Sequence, residues 1–188
     1  DELNKQNIPF KEKDPAVATA EFLSDNKVVC FFQGKAEVGP RALGNRSILA
    51  NPTFKENVLR VNKIKGREAW RPLAPSILEE DYFDVVDAKF LSPFMLMAVP
   101  VKEHYKERIP AVVHVDGSCR PQSVNQKTNE TFYKTILEFK KRSGIPIVLN
   151  TSYNLSHEPI VNSPIDAIKT FFDSDADVLV INNFIIEK

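Results

Sequence analysis

What most constrains this chain is the recurrence of short, largely apolar runs between stretches of helical period. Residues 28–32 (VVCFF), 145–149 (IPIVL) and 177–181 (DVLVI) are each about five residues long and rich in β-formers. That length suits a strand buried on both faces and falls far short of the ~18 apolar residues that a bilayer span needs. Between the runs lie helical patterns. Asp14 and Pro15 have the form of an N-cap and first helical residue, with Ala16, Ala20, Phe22 and Leu23 as the apolar face of a helix over 14–26. Val58, Val61 and Ile64 mark a second helix over 54–64. Asn129 caps a third, with Phe132, Ile136, Leu137 and Phe139 as its stripe, a basic last turn of Lys140, Lys141 and Arg142, and Gly144 just beyond. Ser163 and Pro164 open a fourth, carrying Ile165, Ile168, Phe171 and Phe172. Residues 94–101, 111–115 and 184–186 also read as strands, and 1–13 as a flexible N-terminal extension. The alternation implies an α/β (α+β) layered domain with helices packed on a mixed sheet. At ~150 residues per domain, 188 residues argue for one domain.

Two cysteines, Cys30 and Cys119, supply neither a disulfide framework nor a zinc spacing, and none of His104, His114 and His157 has an i,i+4 histidine partner. No protein-built metal site is expected. The start of the chain has no apolar signal-like segment, so a cytoplasmic location without membrane contact is the expectation.

The formal net charge of zero hides an asymmetry. Between residues 35 and 71 nine basic residues face three acidic ones, which leaves 16 basic against 22 acidic elsewhere. A concentrated positive field on a neutral protein suggests a site for a small anion, whereas nucleic acid would need a broader basic surface. Trp70 is an aromatic inside the basic segment, and Pro72 and Leu73 beside it imply burial.

Three segments carry polar chemistry. Half of the six glycines, Gly34, Gly39 and Gly44, fall within eleven residues just after the first buried run, which implies a loop whose backbone N–H groups can approach a ligand. Arg41 and Arg46 in that loop add forked donors suited to carboxylate or phosphate, although a Gly/Pro turn with solvated arginines is equally compatible with the spacing. Lys65, Arg67 and Arg71 follow; in an extended segment Lys65 and Arg67 share a face. Ser152 and Asn154 repeat the i,i+2 spacing directly after the 145–149 run, beyond a strand end where ligand sites gather. The third segment places His114 and Asp116 two residues apart, with Arg120 beyond a turn, as either an acid and base or a structural pair.

The stretches FFQGKAEVGPRALGNRSILANP, VNKIKGREAWRPLAPSIL, PAVVHVDGSCRPQSV and GIPIVLNTSYNLSHEPIV, in that order, resemble the C-terminal, YrdC-like domain of the O-carbamoyltransferases that modify antibiotics and nodulation factors. The resemblance covers most of residues 28–186. It implies a YrdC-like fold and a K-x-R and S-x-N site at Lys65, Arg67, Ser152 and Asn154. Lys65, Arg67 and Ser152 would be catalytic; Arg41, Arg46, Arg71, Arg120, Asn150, Asn154 and His114 would bind substrate and ATP. Lys35, Tyr153 and Cys119 depart from the pattern, where Arg, Phe and Ala are expected. The implied reaction joins carbamoyl phosphate and ATP into carbamoyl adenylate for O-carbamoylation of a hydroxylated acceptor, with Mg²⁺ arriving on ATP. A Kae1-like N-terminal domain, absent from these 188 residues, would be the partner. A non-catalytic anion- or RNA-binding YrdC-like module and a threonylcarbamoyl adenylate synthase are the competing readings. On the adenylation reading Lys65 is expected as an exposed cationic ligand that contributes little to folding.

Overall fold

A computed structural model describes residues 2–5, 7–156 and 158–188, so Asp1, Gln6 and His157 lie outside the described residues. In chain order the elements are α1 (Glu2–Lys5), β1 (Lys11–Glu12), α2 (Pro15–Ser24), β2 (Val29–Phe32), β3 (Arg46–Ala50), α3 (Asn57–Ile64), β4 (Ala74–Leu78), a 3₁₀ turn (Glu79–Asp81), α4 (Tyr82–Val85), β5 (Val99–Pro100), α5 (Glu103–Lys106), β6 (Ser118–Cys119), β7 (Gln122–Val124), α6 (Glu130–Ser143), β8 (Ile147–Ser152), α7 (Pro164–Phe172), β9 (Val178–Ile181) and β10 (Phe184–Glu187). Among the described residues eight strands form one sheet in the order β1-β10-β9-β2-β3-β8-β4-β7. The β2–β9 and β4–β7 pairs are parallel and the rest antiparallel, so the sheet is mixed, as the alternation of elements implies.

Helix caps work as the sequence indicates. Asp14 accepts from the backbone N–H groups of Ala16 and Val17 at 2.9 Å, Asn129 accepts from Phe132 at 3.1 Å, and Ser163 and Asp166 form a reciprocal capping box. Gly144 closes α6 with φ 72°, the left-handed conformation that Gly adopts without a Cβ penalty. Phe31 packs against Phe132 of α6, while its neighbour Cys30 meets Tyr153, whose hydroxyl donates to the Ala167 carbonyl of α7. Successive strand residues point to opposite faces, so α6 and α7 cover opposite sides of the sheet. α2 packs alongside α6. The central strands β2 and β3 are buried throughout, which explains why residues 28–32 are apolar without alternation.

Several expectations are corrected. Lys11 and Glu12, expected in a flexible extension, pair with Ile185 and Phe184 of β10, and Leu3 is buried in the core. Of residues 94–101 only Val99–Pro100 is a strand; Met95 has φ 53°, which breaks an extended run, and Phe94, Leu96 and Met97 are exposed. Residues 111–115 form a turn, with Val115 fully exposed, so their alternation is coincidental.

The topology concentrates loops at one edge. β8 ends where its antiparallel neighbours β3 and β4 begin, β2 ends beside the start of β3, and β7 runs parallel to β4. The β2–β3 loop, the α3–β4 segment, the chain entering β7 and the β8–α7 loop therefore meet there.

Candidate active site

Lys65 and Arg67 do not lie on an extended segment. Lys65 caps α3, and the next two amides close the helix by bonding back, Gly66 to the Lys63 carbonyl at 2.9 Å and Arg67 to that of Asn62 at 3.1 Å. This is a Schellman closure, and Gly66 takes the φ of 62° that it requires. The turn carries Lys65 inward, where its side chain is buried. Its Nζ donates to the Ser152 carbonyl at 2.5 Å, the Asn154 carbonyl at 2.8 Å and Asn154 Oδ1 at 3.0 Å, with Ser152 Oγ at 3.3 Å. Segments 87 residues apart thus meet through one ammonium. Burial and the neighbouring Arg67 push the Lys65 pKa down to about 7. Lys65 is not the exposed ligand expected from the sequence; it also ties α3 to the β8–α7 loop.

Arg67 is fixed by a residue that the motifs do not single out. Asn62, fully buried, accepts from Arg67 Nε at 2.6 Å and donates to the carbonyls of Ala69 and Arg71 at 3.1 and 2.9 Å, holding the whole 67–71 segment. A polar residue at Asn62 within the Val58, Val61, Ile64 pattern was the available signal. Lys65, Arg67, Arg71, Ser152 and Asn154, with Glu68, line a cavity of about 590 Å³. Arg67 and Ser152 also belong to a narrower hollow of about 90 Å³, which Arg41, Arg120 and Asn150 complete.

This composite cleft is strongly cationic. Burial and repulsion from Arg71 and Arg120 push Arg67 below its ordinary pKa, and burial with repulsion from Arg41 does the same to Arg120. Arg71 is paired with Glu68 at 2.6 Å, the one carboxylate in the lining of the two cavities. Among the described residues Arg41 Nε, Arg120 Nε, Arg67 Nη2 and Asn150 Oδ1 are buried without a hydrogen-bond partner. Like charges held together with donors unmet are an arrangement chemically suited to an anion.

Two expected ligands lie outside the two cationic cavities. Arg46 is buried in β3, stacked 3.5 Å over the Phe32 ring, and donates to the carbonyls of Gln33, Asn45, Gly34 and Asn162 at 2.6 to 3.4 Å. It braces the glycine-rich loop and lines neither cavity. His114, whose Nδ1 lies 3.2 Å from Ser118 Oγ, lines an adjoining apolar hollow of about 740 Å³ with Leu59, Trp70, Leu73 and Val115. Desolvation and Arg120 lower its pKa. Trp70, expected to be buried, is 77% exposed on the wall of this hollow, which shares Arg71 with the larger cationic cavity. Cys30 and Cys119 are buried, and desolvation pushes both thiols up to about 12, which leaves neither as a nucleophile.

The fold is that of a YrdC-like domain. The chain is similar in structure to Sua5 of P. abyssi complexed with L-threonine (TM-score 0.63, 18% identity, 92% of this chain and 47% of that one) and to full-length HypF in a phosphate- and nucleotide-bound form (TM-score 0.58, 17% identity, 96% and 23%). Its residues 20–188 match the family described as Carbamoyltransferase C-terminus, and the chain belongs to that family. It is 47% identical over 179 residues to nodulation protein NolNO of Sinorhizobium fredii, covering 93% of this chain and 26% of that protein. It is 44% identical over 187 residues to the uncharacterized protein MJ1051 of Methanocaldococcus jannaschii, covering 99% and 36%. The chain thus spans about a quarter to a third of these relatives. Among the described residues no helix is long and apolar enough to cross a membrane.

Proposed function

We propose that this domain binds ATP and carbamoyl phosphate side by side and forms carbamoyl adenylate, as one half of an O-carbamoyl transfer completed with a Kae1-like N-terminal domain. The observation that carries the reading is the convergence of Arg41, Arg67, Arg71 and Arg120, with buried N–H groups unmet, on a cleft joined to Lys65, Ser152 and Asn154. Two polyanions repel, and preorganised arginines offset that repulsion without reorganisation during the reaction. Water would hydrolyse carbamoyl phosphate to carbamate and inorganic phosphate, and the carbamate oxygen would then attack the α-phosphorus of ATP in line and expel pyrophosphate. That step needs alignment and charge neutralisation rather than a protein nucleophile. The apolar hollow beyond Arg71, walled by Trp70 and Leu59, offers a flat surface for the base. A single carboxylate, Glu68, suits Mg²⁺ carried in on phosphate oxygens and not an ion caged by protein alone.

An RNA-binding role is disfavoured by the partners of the outer basic residues. Arg60 pairs with Asp177 at 2.5 Å and Lys63 with Asp175 at 3.3 Å, which interrupts any basic stripe along α3. Calorimetry with ATP, carbamoyl phosphate and pyrophosphate at low salt tests the reading. Binding of all three that weakens with added salt is expected. Absence of heat from each, or tight RNA binding indifferent to carbamoyl phosphate, would contradict it.

A further inference from the structure

The charged groups that line the hollow of about 90 Å³, Arg41, Arg67 and Arg120, are all donors, yet Asn150 in the same lining carries a buried acceptor, Oδ1, that no described residue satisfies. The orientation of that amide is dictated from behind. The Leu43 carbonyl can only accept, so Gln122 must turn its Nε2 toward it, at 3.0 Å. Gln122 Oε1 then faces inward and takes the single hydroxyl proton of Ser76 at 2.7 Å. Ser76 Oγ is left as an acceptor, and Asn150 Nδ2 donates to it at 2.9 Å, to Gln122 Oε1 at 3.3 Å and to the Ala42 carbonyl at 3.2 Å. A flipped amide would set Oδ1 against three acceptor oxygens inside the sheet, where no water screens the repulsion. All three side chains are buried, on the adjacent strands β7, β4 and β8.

We propose that Gln122 is a positioning residue that, together with the Ala42 carbonyl, locks Asn150 Oδ1 toward the ligand and so selects a planar acyl group bearing an amide N–H over one bearing a methyl. This rests on the adenylation reading above. The arginines would take the oxygens of an acyl phosphate of either kind. Only a carbamoyl NH₂ completes the bond to Oδ1; the acetyl methyl occupies the same volume and leaves the acceptor buried and unmet. An unsatisfied buried acceptor disfavours acetyl phosphate by roughly ten- to a hundredfold in affinity.

The test is calorimetric titration of the whole chain with freshly dissolved carbamoyl phosphate, acetyl phosphate and pyrophosphate, for the wild type, Gln122→Met, Gln122→Leu and Ser76→Ala. The wild type is expected to prefer carbamoyl over acetyl phosphate by roughly ten- to a hundredfold. In Gln122→Met the Ser76 hydroxyl proton is released to donate toward Asn150 and only the Ala42 carbonyl still opposes a flip, so the preference should fall to within about threefold while pyrophosphate affinity changes less than about twofold. Gln122→Leu should shift the preference the same way, and it carries the readout if Gln122→Met does not fold, whereas Ser76→Ala leaves Gln122 Oε1 and the Ala42 carbonyl facing Asn150 Nδ2 and should keep the preference. A wild type without preference, Gln122 variants that keep it in full, a Ser76→Ala that loses it, or a parallel loss of pyrophosphate binding would overturn the proposal. Pyrophosphate binding without acyl selectivity would sink this inference alone, whereas no binding of any anion would sink the adenylation reading beneath it.

Discussion

Replacing Lys65 by methionine removes the ammonium while keeping a chain of similar length, and its effect on folding should depend on pH with a definite sign. Burial and Arg67 hold the Lys65 pKa at about 7 in the fold, against an ordinary 10.5. Between those values the unfolded chain binds more protons than the folded one, so the wild type gains stability as pH rises. Below pH 7 both states are charged and the full cost of burying the ammonium is present. From pH 6.5 to 8 the linkage relation gives a gain of about 1 kcal/mol, and over the whole window a total on the order of a few kcal/mol. Urea unfolding of the wild type and Lys65→Met at pH 6.5 and 8 measures it, because titrations common to both cancel in the difference. The wild type should gain about 1 kcal/mol on the variant across that step. Parallel pH dependences would refute the argument that Lys65 is held in a desolvated, cation-crowded place.

Further outcomes follow from the same geometry. Arg120→Met relieves repulsion with Arg41 and Arg67 and should leave the melting temperature unchanged or higher, while pyrophosphate affinity in calorimetry falls at least about tenfold. Arg46→Met strips four backbone carbonyls of their donor and should cost about 2–4 kcal/mol in urea unfolding. Trp70→Ala, at an exposed position, should change stability by less than about 0.5 kcal/mol, yet lower affinity for ATP several-fold and leave that for inorganic tripolyphosphate unchanged in parallel titrations.

Caps and stripes made most helices legible before any coordinates. Asp14, Asn129 and Ser163 each satisfy orphan amides locally, so their signals survive whatever the tertiary context. Strands were less visible. β3 begins at Arg46, which reads as part of a glycine-rich loop because its guanidinium serves backbone carbonyls across that loop, a relation no spacing encodes. β4 contains Pro75, which normally argues against a strand; β7 pairs with β4 only from Ser76 onward, so the proline lies beyond that ladder. At the candidate site the polar segments were visible as residue types, and the sheet order that joins them was not. Asn62 and Gln122 escaped notice because each acts through a buried network whose partners are distant in sequence.

The adenylation reading is tested most directly by exchange of labelled pyrophosphate into ATP on this chain, with and without carbamoyl phosphate. Exchange that requires carbamoyl phosphate and is lost in Arg120→Met is the expected result. Exchange indifferent to carbamoyl phosphate, or none with it present, would contradict the assignment of the arginine cleft to carbamoyl adenylate formation.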